Sequence, residues 1–223
     1  MTRRLGCAVL TLAVAACATQ PRTQPRTPPP MERAMPASVG ELAAAIDANA
    51  KRSDHETDSK IRGELAAEAS RDAEACRSHE PQAAACLYGQ AVALGLEARV
   101  HATRAGELLN RMLEALAHAE SADPNYQDAG PARVRALVLV RAPGWPLGPG
   151  DAEAGLVAAR RAVALRPQYP PNLLALAEAL AKSGDGSAAR ETYARARDAA
   201  LAQPAAPDRD DWLRQADQGL QHK

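Results

Sequence analysis

From Val39 onward, apolar residues recur at helical spacing, and no window alternates residue by residue as a half-buried strand does. Ser38 and Glu41 stand three apart ahead of Leu42 and Ala43, a capping-box spacing that predicts a helix start; Ser53 with Glu56 repeats it. Pro81 is placed to open a helix carrying Leu87, Tyr88, Ala91 and Ala98 on one stripe. Leu109, Met112, Leu113 and Leu116 follow the i, i+3, i+4, i+7 pattern of the next, and Asp123-Pro124 stops it. Gly130-Pro131 opens another with Val134, Leu137 and Val138, because proline suits the first helical position. The pattern predicts an all-α protein.

The spacing of these helices carries more than their number. Pro170-Pro171-Asn172 starts a helix with Leu173, Leu176, Ala177 and Leu180 on one face, Gly184-Asp185 turns it, and Ala189, Tyr193 and Ala196 follow. Thirty-four residues upstream, Gly150-Asp151 matches Gly184-Asp185 and Ala162 matches Ala196, with Pro167 where such a unit ends. This is the pattern of a tetratricopeptide repeat, in which small residues let two helices approach and large ones fill the gap to the next pair. It predicts a right-handed stack of about four antiparallel helix pairs over residues 39–223, closed by a polar-faced helix over 208–221 on which Trp212 and Leu213 dock. A helical bundle with accidental spacing is the alternative.

The N-terminus has a different character. Met-Thr-Arg-Arg precedes about a dozen apolar residues, too short a run to span a bilayer, and ends Val14-Ala15-Ala16-Cys17. This resembles the lipobox of bacterial lipoproteins. The resemblance implies removal of a signal peptide over residues 1–16, lipid on Cys17, and, with Ala18 following, placement in the periplasm at the inner leaflet of the outer membrane. An ordinary secretory signal with Cys17 incidental is the other reading. Residues 17–38, with a repeated Gln-Pro-Arg-Thr and a triple proline, lack an apolar face and read as a tether. Such a proline-rich segment extends at about 3.1 Å per residue.

Composition supports helices and narrows the partners. Alanine supplies about a quarter of the 223 residues, and phenylalanine is absent. The 27 basic and 27 acidic side chains cancel overall. Setting aside Arg3 and Arg4 with the leader, and Arg22, Arg26, Arg33 and Glu32 with the tether, leaves a body of 22 basic and 26 acidic residues. With no basic stripe, nucleic acid is not an expected partner.

One stretch departs from a plain repeat: Ala142-Pro-Gly-Trp-Pro-Leu-Gly-Pro-Gly-Asp151 is longer and stiffer than a usual turn. Together with Tyr126-Gln-Asp-Ala-Gly-Pro-Ala-Arg133 and Arg166-Pro-Gln-Tyr-Pro-Pro-Asn-Leu173 it resembles the tetratricopeptide-like lipoproteins classed as the T component of TRAP transporters. The resemblance covers about residues 60–200 and is densest over 126–173, while residues 39–75 match no motif of that family. It implies a periplasmic scaffold working with a solute-binding subunit, with a homo-oligomer where a pore forms. The family also places a cysteine ahead of a Cys-aromatic-Tyr-like segment, here Cys76 and Cys86-Leu87-Tyr88. The implied pairing is a Cys76–Cys86 disulfide in an oxidising compartment. Zinc on Cys76, His79 and Cys86 is its rival.

No catalytic constellation is present: there is no His-Glu helical zinc motif, no Gly-x-Ser-x-Gly elbow and no phosphate-binding Gly-Lys-Ser/Thr loop. The expectation is a non-enzyme without a cofactor whose groove is lined by the first helix of each pair. In the Pro170 frame that face carries Leu174, Glu178 and Lys182, with Asn172 at its start. Trp145, on its stiff loop, reads either as an anchor for a partner or as packing over the open end of the stack. Tyr126 and Tyr169 share that ambiguity. Arg133 reads as a ligand for a carboxylate or as the partner of Asp128 or Asp151. The functional expectation is a protein- or solute-binding scaffold, with envelope assembly or secretion through peptide binding as the alternative.

Overall fold

The structure, a computed structural model, describes residues 37–221. The expected leader, the lipidated Cys17 and the tether as far as residue 36 lie outside the described residues. Nine α-helices and no strand occur among those described: α1 Val39–His55, α2 Ser59–His79, α3 Ala84–Val100, α4 Ala105–Ala122, α5 Tyr126–Arg141, α6 Ala152–Leu165, α7 Pro170–Lys182, α8 Gly186–Leu201 and α9 Arg209–Gln221. They form four consecutive pairs and a closing helix, as the repeat spacing predicts.

The layering follows from which helices touch. Each odd-numbered helix packs on the next odd one, whereas α2, α4, α6 and α8 do not contact one another. The odd helices therefore occupy the tighter, inner side of the stack and the even helices its outer side. Small side chains make this approach feasible. Ala159, Ala177, Ala179 and Ala200 have no exposed surface, and a Cβ on Gly155 of α6 would stand 2.7 Å from Val140 Cγ2 of α5. Trp212 of α9 closes the end against Leu173, Leu174, Ala196 and Ala200.

The 34-residue repeat is visible in the hydrogen bonds themselves. Asp151 accepts from Ala154 N at 2.9 Å to cap α6, and Asp185 accepts from Ala188 N at 3.0 Å to cap α8. Gly184, with φ of +88°, makes the turn before Asp185, a conformation that strains other residues. The Ser38–Glu41 capping box forms at the start of α1.

Two sequence expectations need correction. Ser53 lies buried within α1 and caps nothing; the next cap is Asp58, which accepts from Lys60 N and Ile61 N. Pro81 sits in a turn and α3 begins three residues later at Ala84, without a side-chain cap.

Cys76, near the end of α2, is disulfide-bonded to Cys86 in the first turn of α3, with Cα atoms 5.2 Å apart and neither side chain exposed. Both thiols are consumed, so the zinc alternative has no ligands left at His79. The bridge closes a loop of ten residues in sequence. Chain-entropy arguments put such a closure at about 2–3 kcal/mol. The Cys76→Ala/Cys86→Ala variant is expected to lose that amount in urea unfolding compared with the oxidised protein. An unchanged unfolding free energy would contradict a stabilising bridge.

Candidate functional site

The inner side of the stack holds a groove of about 330 Å³ between α5, α7, α8 and α9. Its walls combine apolar surface from Leu137, Leu174 and Trp212 with Arg133, Arg141 and Glu178, while Gln215 and Gln218 of α9 border it. Helical spacing places Arg133, Leu137 and Arg141 along one side of α5. Leu174 and Glu178 do the same on α7. Arg141 and Glu178 form a two-pronged ion pair across the groove: Nε and Nη2 each donate to a Glu178 oxygen at 2.7 Å. That hydrogen bonding is the leading reason the Arg141 guanidinium holds its proton more tightly than usual.

The start of α5 is where the backbone departs from regular helix. Gln127, Asp128 and Ala129 have φ of 50°, 55° and 64°, the left-handed region that costs non-glycine residues roughly 1–2 kcal/mol each. What holds this turn is Asn172. Its amide nitrogen donates to the carbonyls of Asp128 (3.0 Å), Ala162 (3.1 Å) and Arg166 (3.4 Å), and its oxygen accepts from Arg133 Nη1 at 3.0 Å. Three carbonyl acceptors on one side and a guanidinium donor on the other dictate this amide orientation. Arg133 Nη1 also donates to the carbonyls of Gln127 and Asp128 at 3.1 Å each, and the guanidinium carbon lies 5.3 Å from the centre of the Tyr169 ring. Tyr169 in turn meets Trp212 edge to face at 5.8 Å.

Beyond Arg133 a polar cluster reaches α1. Asp47 accepts from Gln127 Nε2 at 2.9 Å, and Lys51 pairs with Asp208 at 3.0 Å, 157 residues away. Burial pushes the Asp47 carboxyl above its usual range, against the opposing pull of Lys51, Gln127 and Arg133. Burial likewise raises the hydroxyls of Tyr88 and Tyr169, and Tyr88 packs edge to face on Tyr126 at 5.4 Å.

The expected site residues thus fall in different places. Arg133, Leu174 and Glu178 line the groove; Tyr169 supports Arg133 from beside it, and Tyr126 sits further along the inner side against Tyr88. Asn172 is 0% exposed with its amide fully engaged, which closes it to a partner and makes it a structural tie. Lys182 is exposed at the end of α7 and forms no part of the groove wall. Arg133 pairs with neither expected carboxylate: Asp128 offers its backbone carbonyl while its side chain faces Arg166 at 3.4 Å, and Asp151 caps α6. Trp145 is 92% exposed on a loop that borders the start of α4, so it does not pack over the stack. The groove residues missing from the sequence reading, Arg141, Tyr193, Gln215 and Gln218, come from three helices whose register only packing sets. The only signal for any of them is the i, i+4, i+8 spacing of Arg133, Leu137 and Arg141 along α5.

A search of solved structures finds a thermophilic TPR protein of Thermus thermophilus at TM-score 0.52 and 21% identity, covering 82% of this chain and 92% of that one. At that identity the match speaks to fold, and the fold is a tetratricopeptide-like α-solenoid. No protein-family model matches the chain, and no curated protein is significantly similar to it.

Two stability predictions come from this geometry. Asn172→Ala removes one donor group and one acceptor that serve four partners, and is expected to cost about 2–4 kcal/mol; chemical denaturation measures it, and a loss under about 0.5 kcal/mol, the usual size of a neutral surface change, would contradict the tie. Asp47 takes up a proton more readily folded than unfolded, so its contribution is favourable at acid pH and is lost as pH rises through its elevated folded value. Asp47→Asn, which keeps an acceptor for Gln127, should therefore melt higher than wild type at pH 7. The gap should close below the usual carboxylate range. Equal midpoints at both pH values would contradict the assignment.

Proposed function

We propose that this chain is a non-enzymatic binding scaffold of the bacterial envelope, anchored by lipid on Cys17 and similar in role to the T component of TRAP transporters. The observation that carries the reading is the inner groove, where aromatic, apolar and charged side chains from α5, α7, α8 and α9 converge on space they do not fill. The lipobox-like Val14-Ala15-Ala16-Cys17, the proline-rich tether and the Cys76–Cys86 bridge support an extracytoplasmic location. The partner in this reading is a periplasmic solute-binding subunit, and the groove receives either a segment of it or the solute it carries.

The anchor and the groove are tested separately. Labelled palmitate is expected to enter the wild-type protein and not Cys17→Ser, which should leave the membrane fraction; labelling of both would place the lipid elsewhere. For the groove, Leu137→Arg adds bulk and charge to its wall at a half-buried position. Capture of a solute-binding subunit encoded beside the protein should fall at least tenfold, with helicity unchanged. Equal recovery from Leu137→Arg and wild type would move the site off the groove. Trp145→Ala is the companion variant, and unchanged recovery would remove its loop from the site.

A further inference from the structure

The two arginines that α5 presents to the groove are in different states. Arg141 spends its Nε/Nη2 edge on the Glu178 carboxylate, both contacts at 2.7 Å. Arg133, eight residues earlier, makes its hydrogen bonds to the Gln127 and Asp128 carbonyls and the Asn172 amide oxygen through Nη1, and all three acceptors are neutral. Among the described residues no carboxylate lies in ion-pair contact with it. The carboxylates nearby have their own partners. Asp128 faces Arg166, Asp208 faces Lys51, Glu178 faces Arg141, and Asp47 is held by Gln127, with Lys51 and Arg133 both acting on it from beyond ion-pair contact. A guanidinium fixed at one nitrogen, with a tyrosine ring against it, keeps its charge and its second edge in a set direction. That edge offers two parallel N–H donors, the arrangement a carboxylate accepts in a bidentate fork.

We propose that the Nε/Nη2 edge of Arg133 is the anchor for a ligand carboxylate, with the ligand's apolar part lying along Leu137, Leu174 and Trp212. The ligand class is a small organic monocarboxylate with a short apolar body, matched to a groove of about 330 Å³. This rests on the groove being the binding site and names the chemistry it recognises. Arg141 shows the same contact satisfied from within the chain, and Asn172 acts as a positioning residue because it holds the Nη1 side. The Tyr88 hydroxyl stands within hydrogen-bonding reach of the Arg133 guanidinium on the same inner side, a further neutral neighbour that a bound carboxylate would share.

The test uses the two tryptophans of the chain. Trp145→Phe leaves Trp212, in the groove wall and against Tyr169, as the sole fluorophore. The mature protein in this background is titrated with octanoate, with octanol as the uncharged control. A saturable change in Trp212 emission is expected for octanoate, at least tenfold tighter than for octanol. Arg133→Gln should weaken octanoate at least tenfold and leave octanol unaltered. If Arg133→Gln does not fold, Arg133→Lys decides: it keeps the charge without the fork and should also weaken octanoate severalfold. An acetylated Ala-Leu-Leu peptide, with free and amidated C-termini, separates a polypeptide end from a free acid. Preference for the free peptide acid supports the Arg133 fork and identifies its ligand as a chain terminus. Octanol binding as tightly as octanoate, no saturable response to any probe, or affinity within twofold of the parent in the Arg133 variants would overturn the proposal. A failure here alongside intact, Leu137-dependent capture would discard the carboxylate chemistry and leave the scaffold reading standing.

Discussion

The inner side of this solenoid is organised around one buried amide. Asn172 touches the left-handed turn at the start of α5, the last turn of α6, the segment between α6 and α7, and the guanidinium of Arg133. Helix pairs ordinarily join through apolar contact, which is tolerant of small sliding. A fully engaged amide is not, because moving any of its partners leaves a buried polar group unpaired at about 1–3 kcal/mol. The third and fourth pairs are therefore locked in one register. Three consecutive left-handed residues become tenable only inside that lock.

The consequence for the groove is directional. Arg133 is held on its Nη1 side by acceptors that carry no charge and by the face of Tyr169, so its position is fixed while, among the described residues, no carboxylate is in ion-pair contact with it. Arg141, on the same helix, is neutralised by Glu178 and helps to join α5 to α7. One arginine thus joins two helices of the wall, and the other is the one proposed to meet a ligand. Trp145 stands apart from both, exposed on a loop beside α4, and belongs to a different surface.

How much of this was legible in the sequence depended on how local each feature is. Asp151 and Asp185 cap helices 34 residues apart, and the small residues Ala162 and Ala196 pack where the repeat places them, because caps and packing stripes are set by near neighbours. The expected cap at Ser53 failed for a related reason: α1 continues past it with a buried face, and burial outweighs a three-residue motif. The site was harder. Asn172 looked like a groove residue because it stands at the start of α7, yet helix rotation turns it inward. Arg133 lacks the expected pairing with Asp128 because the left-handed turn presents Asp128's carbonyl in place of its carboxylate, and no sequence spacing announces that inversion. Asp47 and Lys51 lie in the stretch where no family motif was visible, and their connection to Gln127 and Asp208 exists only once the stack has formed.

The account turns on Arg133 being pinned at one nitrogen and free of any contacting carboxylate at its other edge. Nitrogen-15 NMR of the Arg133 side chain reads this directly, since a guanidinium held on Nη1 rotates slowly and its two Nη groups resonate apart. The account predicts two resolved Nη signals for Arg133 in the wild-type protein, collapsing to one average in Asn172→Ala. A single averaged signal in the wild type would contradict it.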